Sequence, residues 1–227
     1  MRSIVKEYKV YSFDELSEEV KREIIKRERE IQVIDYCDAW LCDDLKEKAK
    51  DLLQEHIGFR DEYLKVNYDL SYAQGSGAMV EFKIHIKDLN NKYKVFNDEE
   101  IDFLIEKNVI EYVTIKHNGS GYCHEFAFDI ESDYYNYWNY DEVKEYYNFS
   151  EEEFNTIEDR FNKLIDSNYK FNPVSEFVKD IVNINVELKN YGYRRIEYYS
   201  KCDDEEIINI IVNSDMEYLE NGEIYCG

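Results

Sequence analysis

Near residue 60 the apolar period of this chain changes from the 3.6 of a helix to the 2 of a strand. In 63–72, Leu64, Val66, Tyr68, Leu70 and Tyr72 alternate with Lys65, Asn67, Asp69 and Ser71. In 78–87, Val80, Phe82, Ile84 and Ile86 alternate with Glu81, Lys83, His85 and Lys87. Two alternating runs joined by the polar stretch AQGSG predict an antiparallel hairpin with one buried face. A second hairpin is predicted from 109–117 and 121–131 around NGSG. With a loop at 118–121, His117 stands opposite Tyr122. Val113, Ile115 and His117 then share a face with Tyr122, His124, Phe126 and Phe128, and Glu125 points the other way.

The flanking segments read differently. SIVKEYKVY (3–11) predicts a short strand. Ser17 followed by EEVKREIIKREREIQ predicts a capped helix, with Val20, Ile24, Ile31 and Ile34 near helical spacing. A helix over 36–56 follows, its stripe Trp40, Leu41, Leu45, Ala49, Leu52 and Leu53, stopped by Gly58. Asn97 caps a short helix. Ser150 with Glu153 forms a capping box for a helix to about 167. Asn172-Pro173 opens a helix to about 200, weakened at Gly192. A helix over 203–213 precedes a terminal hairpin around Asn221-Gly222, a type I′ signal. No Pro/Gly/Ser-rich linker interrupts the chain. The expectation is one α+β domain over 1–227: an antiparallel sheet of two Gly-loop hairpins, helices on one face, and a helical C-terminal region with a small hairpin. A division into a helix-plus-sheet part, 1–131, and an acidic helical part, 132–227, is the candidate sub-structure.

The charge restricts partners. The 227 residues hold 28 Lys+Arg against 51 Asp+Glu, net −23. Such a field repels phosphate backbones and anionic membranes, so direct nucleic-acid or membrane binding is not expected. The charge is uneven. Residues 132–160 and 202–227 supply −7 and −8 of it, and the second of these segments has no basic residue. No run approaches ~18 apolar residues, and the start MRSIVKEYKVYSF has no apolar signal core. The five cysteines, 37, 42, 123, 202 and 226, form no CxxC pair and read as free thiols of a cytoplasmic protein.

Two constellations could carry function. One is a partner-binding surface. Its aromatic anchors are Tyr134, Tyr135, Tyr137, Trp138 and Tyr140, and its carboxylates are Asp141, Glu142, Glu151, Glu152, Asp203 and Asp204. A solvated acidic face and a packed helical edge are the plainer readings of these residues. The other constellation is a ligand pocket in which the loop Gln74, Gly75, Ser76 and Gly77 faces His117, Tyr122 and His124. Two structural histidines and a plain Gly turn are its plainer readings. No GK[ST] ending or GxSxG elbow is present, so no catalytic residue, metal or cofactor is assigned.

Four segments together resemble a family of uncharacterised bacteriophage and prophage proteins. They are FDELSEEVKREII (13–25), SYAQGSGA (71–78), YCHE (122–125) and DDEEIINIIVNSDMEYLENGEIY (203–225). Members are similar in an FDELSEEAKEKA-like helix, an SQGDGA-like loop, a YxHE-like strand and an acidic C-terminal helix with an NG or DG hairpin. Ser76 stands where the family usually has Asp. The resemblance implies a mobile-element origin, and small acidic phage proteins are often inhibitors of host nucleic-acid enzymes or defence systems. The expected function is therefore an anti-CRISPR-like inhibitor acting as a nucleic-acid mimic on a basic host surface. The alternative is a module that binds or sequesters a small ligand or nucleotide at the 74–77 loop and His117/His124. Oligomeric state is open.

Overall fold

The computed structural model describes residues 7–71, 73–106, 110–132, 150–166 and 175–226. Their contacts gather them into two compact units. One takes the described residues up to Leu41 and those from Arg194 onward; the other spans Cys42–Tyr193.

The second unit holds a four-stranded antiparallel sheet in sequence order: β1 (Lys65–Asp69), β2 (Gly77–His85), β3 (Tyr112–His117) and β4 (Phe128–Ser132). The alternation in the sequence sets its two faces. Val80, Phe82, Ile84, Val113 and Ile115 are buried, while Lys65, Lys83 and Lys116 are exposed. On the open face Lys65 pairs with Glu81, Lys83 lies over the Tyr112 ring at 3.8 Å, and Lys116 pairs with Glu131. The first residues of β2, from Gly77 to Val80, are buried in succession, so both faces are covered there.

Among its described residues the helices of this unit are α2 (Leu41–His56), α3 (Ile86–Tyr93), α4 (Asp98–Glu106), α5 (Glu151–Ile165) and α6 (Glu176–Ser200), with α2 counted here from Cys42 and α6 as far as Tyr193. The predicted stripe Leu45, Ala49, Leu52 and Leu53 is fully buried. Gly58 ends α2 at φ +76, its N–H bonded to the Leu53 and Gln54 carbonyls. Asn97 and Glu100 close a reciprocal box on α4, and Ser150 with Glu153 does the same on α5. Helix α6 runs through Gly192 unbroken, because the missing side chain admits Leu70: a Cβ there would lie 2.5 Å from Leu70 Cδ1. The expected start at Asn172-Pro173 lies outside the described residues.

One helix here escaped the sequence pattern. The strand expected to reach Lys87 stops at His85, whose Nδ1 accepts the Lys87 N–H and so caps α3. A second difference is the register of the second hairpin. His117 pairs with Phe128, not Tyr122, and the connection is 118–127. Val113, Ile115 and His117 therefore share a face with Ser132, Ile130 and Phe128. Residues 122–126 lie off the ladder because their backbone groups find other partners: Cys123 N–H bonds to Gly75 O, and Glu125 O accepts from Asn185.

The first unit is built on α1 (Glu18–Ala39) and α7 (Asp204–Asn213), with a short helical turn at Phe13–Glu15. Ser17 caps α1 as its sequence predicts. The two helices expected over 18–32 and 36–56 instead meet at Trp40. That residue leaves the helical region at φ −122 and is 65% exposed, so it is not part of the buried stripe. Ile31 and Ile34 are also exposed. Phe13, Leu16, Ile24, Ile25, Ile207, Ile211 and Tyr218 form the core; each such side chain contributes about 1.5–3 kcal/mol when fully buried.

The strand expected over 3–11 reduces, among its described residues, to one bridge at Tyr11. Tyr11 exchanges two 2.8 Å hydrogen bonds with Tyr218, which also pairs with Ile224. The hairpin at Asn221-Gly222 is present but is not type I′. That turn needs positive φ at both residues, and only Gly222 has it, at +82. Gly222 N–H bonds to Leu219 O and Leu219 N–H to Glu223 O, a wider turn. Gly222 sits against α1, where a Cβ would come 2.8 Å from Val20 Cγ1.

Candidate functional site

The two Gly loops do come together. Besides the bond from Cys123 N–H to Gly75 O, at 3.1 Å, the Tyr122 ring lies directly on Gly75. Gly75 has φ +89, and any Cβ there would run into that ring. Gly77 is equally constrained: a Cβ would be 2.7 Å from Cys123 O and 2.8 Å from His124 Cα. Ser76 Oγ lies 3.1 Å from Ser71 Oγ, and Gln74 is exposed. The Gly residues thus serve a close backbone approach between 75–77 and 122–124.

The histidines are arranged around the same clasp. His117 Nδ1 accepts the Gly119 N–H at 3.0 Å, so its Nε2 carries the proton donated to Tyr122 O at 2.7 Å. His124 Nδ1 accepts the Phe126 N–H at 3.1 Å, and its ring stacks on Tyr122 at 6.2 Å between centroids. Each imidazole imitates a turn-forming Asn, taking the amide two residues on. A proton-transfer role needs a free ring nitrogen, and His117 has both committed.

Beneath the clasp lies a group that sequence reasoning missed. Asn185 on α6 is fully buried. Its Oδ1 accepts the Val80 N–H at 3.0 Å, and its Nδ2 donates to Glu125 O at 3.1 Å. One amide thus ties helix, sheet and loop. One turn along, Lys189 Nζ reaches Glu125 at 2.9 Å. Burial pushes the Glu125 carboxyl up, but hydrogen bonds to its own backbone N–H and to Lys189 outweigh this and hold it below the usual range. The signal for Asn185 was an amide among Ile181, Ile184 and Leu188, on the apolar face of its helix. Burial, then the nearby Asp69 charge, pushes the Cys123 thiol up, away from a nucleophilic thiolate.

Of the partner-binding residues, Tyr134, Tyr135, Tyr137, Trp138, Tyr140, Asp141 and Glu142 lie outside the described residues. Glu151 and Glu152 are exposed in the first turn of α5, on the outer side from the buried Phe154, Ile157 and Phe161. In the other unit, Asp203 caps α7 by accepting the Glu205 N–H at 3.0 Å, and Asp204 pairs with Arg29. That unit also carries an aromatic cluster the sequence did not suggest. Tyr36 stacks on Tyr199 at 4.0 Å, with the Arg195 guanidinium 5.5 Å from both rings.

Among the described residues no three His, Cys, Asp or Glu side chains group to hold a metal ion, and no helix is long and apolar enough to cross a membrane. In comparisons with family models, curated proteins and solved structures, nothing matches this chain.

Proposed function

We propose that this chain is an acidic, phage-type interaction protein that inhibits a host nucleic-acid-acting or defence protein, in the anti-CRISPR manner, by covering its basic surface. One observation carries the reading. Between 203 and 223 all eight carboxylates are exposed, and among the described residues only Asp204 of these holds a basic partner. Carboxylates left uncompensated repel one another, and a cationic partner relieves that cost while gaining association rate. Glu151 and Glu152 add a second exposed acidic site in the other unit.

The test begins with a pull-down from a bacterial lysate and ends with kinetics on the captured protein. Replacing Glu151 and Glu152 by Gln, and Asp203 and Asp204 by Asn, should slow association and flatten its salt dependence. Asn at 203 keeps the helix cap, so folding is preserved. Unchanged rates in these variants defeat the reading.

The ligand-binding alternative has one supporting observation, the meeting of the 74–77 loop with Tyr122 and His124. Against it, the contact fills the space between the loops. A thermal-shift screen with nucleotides separates the two readings.

A further inference from the structure

Apolar exposure is concentrated in the unit built on α1 and α7. Among the described residues twelve large apolar side chains are exposed. Ten of them (Tyr8, Val10, Ile31, Ile34, Trp40, Tyr198, Ile210, Val212, Met216 and Ile224) belong to this unit. Three of the ten meet in one place. A groove of about 390 Å³ runs between residues 10–15 and 211–217, with Val10, Val212 and Met216 along it, 37%, 45% and 40% exposed. Asp14, Glu15, Asp215 and Glu217 line the same groove, and among the described residues no Lys or Arg does.

The groove is pre-shaped. Its floor includes Phe13, which is buried, and Tyr11, fixed by the paired bonds to Tyr218. Glu15 is held by the Ser12 N–H at 2.9 Å, which closes one end. At the other, Asp215 stands at φ +50, its N–H on Val212 O, in a conformation that Asp and Asn adopt more readily than most residues. The Glu15 carboxylate and the Asp215 backbone therefore need little reordering on binding, which lowers the entropy cost.

We propose that this groove docks a cationic segment of a partner protein, with an apolar anchor side chain set among Lys or Arg residues. The proposal rests on the reading that the partner is basic, and adds where it binds and what side chains it presents. The apolar walls call for a desolvated anchor, and the four carboxylates select its neighbours by charge. A second copy of this chain is disfavoured as occupant, since it brings a net charge of −23 to an acidic rim.

The test uses the full chain and a fluorescein-labelled peptide of alternating Lys and Leu, read by anisotropy at low and physiological salt. Two control peptides replace Leu by Ser or Lys by Glu. The Lys-Leu peptide alone should bind, more weakly as salt rises. Asp215→Asn with Glu217→Gln, and separately Met216→Ser, should each weaken it by about tenfold. Asn at 215 tolerates the same backbone. Glu55→Gln with Glu99→Gln, exposed carboxylates of the other unit, should leave it unchanged. Equal binding of the Lys-Ser peptide, or no effect of Met216→Ser, overturns the groove in favour of diffuse attraction. Binding of the Glu-Leu peptide overturns it as non-specific adhesion. A dimer in sedimentation that Met216→Ser dissolves makes the occupant a second copy, which also overturns it. If the double variant Glu151→Gln with Glu152→Gln alone loses the peptide, the acidic-interaction reading survives and the groove does not.

Discussion

Replacing Asn185 by Ala tests the joint between helix, sheet and loop. The substitution removes both hydrogen bonds of a fully buried amide. The Val80 N–H, itself on a fully buried residue, is left without an acceptor, at about 1–3 kcal/mol. Glu125 O belongs to a half-buried loop residue that water can reach, so its loss is nearer the net worth of one bond, about 0.5–1.5 kcal/mol. The small void adds about 1 kcal/mol. The total is about 2.5–5.5 kcal/mol, a large part of a typical folding free energy. The assay is urea denaturation, with amide exchange followed by mass spectrometry. Protection should fall in 77–82 and 118–127 and hold in α1. Asn185→Asp refines the argument. It keeps the acceptor for Val80 but turns the donor into a buried carboxylate oxygen facing a carbonyl, so its defect should shrink as acid protonates it. A loss below about 0.5 kcal/mol, or exchange that rises equally everywhere, refutes the reasoning.

Three further outcomes are expected. Gly75→Ala should open the clasp, because it adds a strained φ and a clash with Tyr122; Tyr122→Ala in the same chain should recover part of the stability, and no recovery in thermal melts would count against the contact. Glu125 is held below the ordinary carboxylate range, so its pairing stabilises fully above that range and fades as pH falls through the lowered value. The stability gap between the wild type and Glu125→Gln should therefore narrow below about pH 4, and a constant gap in pH-dependent urea titrations would contradict the pairing. Gly192→Ala should destabilise by about 1 kcal/mol, since overpacking against Leu70 exceeds the gain in helix propensity; adding Leu70→Val should cancel part of it, and independent effects of the two would remove the steric explanation.

The strands, the caps and most of the buried stripes were legible, because each depends on residues near one another. Period 2 marked β1 to β3, and Ser17, Asn97 and Ser150 marked helix starts that the structure keeps. The errors fall where a distant partner overrides the local pattern. Residues 121–127 alternate like a strand, yet Gly75 and Asn185 take their backbone groups, and the register with β3 shifts. His85 reads as a strand residue until its imidazole accepts Lys87 N–H and starts a helix. The candidate pocket was half legible. Two Gly loops at the ends of neighbouring hairpins were expected to meet, but nothing local announced that the Tyr122 ring would fill the gap between them.

The unit containing the Tyr11–Tyr218 bridge is assembled from stretches at opposite ends of this sequence, with the whole of Cys42–Tyr193 inserted between them. That order matters during synthesis. Residues 42–193 form a continuous stretch that emerges early and can gain its local contacts as it leaves the ribosome. Phe13, Leu16, Ile24 and Ile25 emerge sooner still, but Ile207, Ile211 and Tyr218, which complete their core, come only after that stretch. Until then the apolar side of α1 waits uncovered, and the closing step is a contact of very high sequence separation, which folds slowly. The α1 face is thus the surface a chaperone would meet on the nascent chain, and a stop codon before residue 207 would leave it exposed for good.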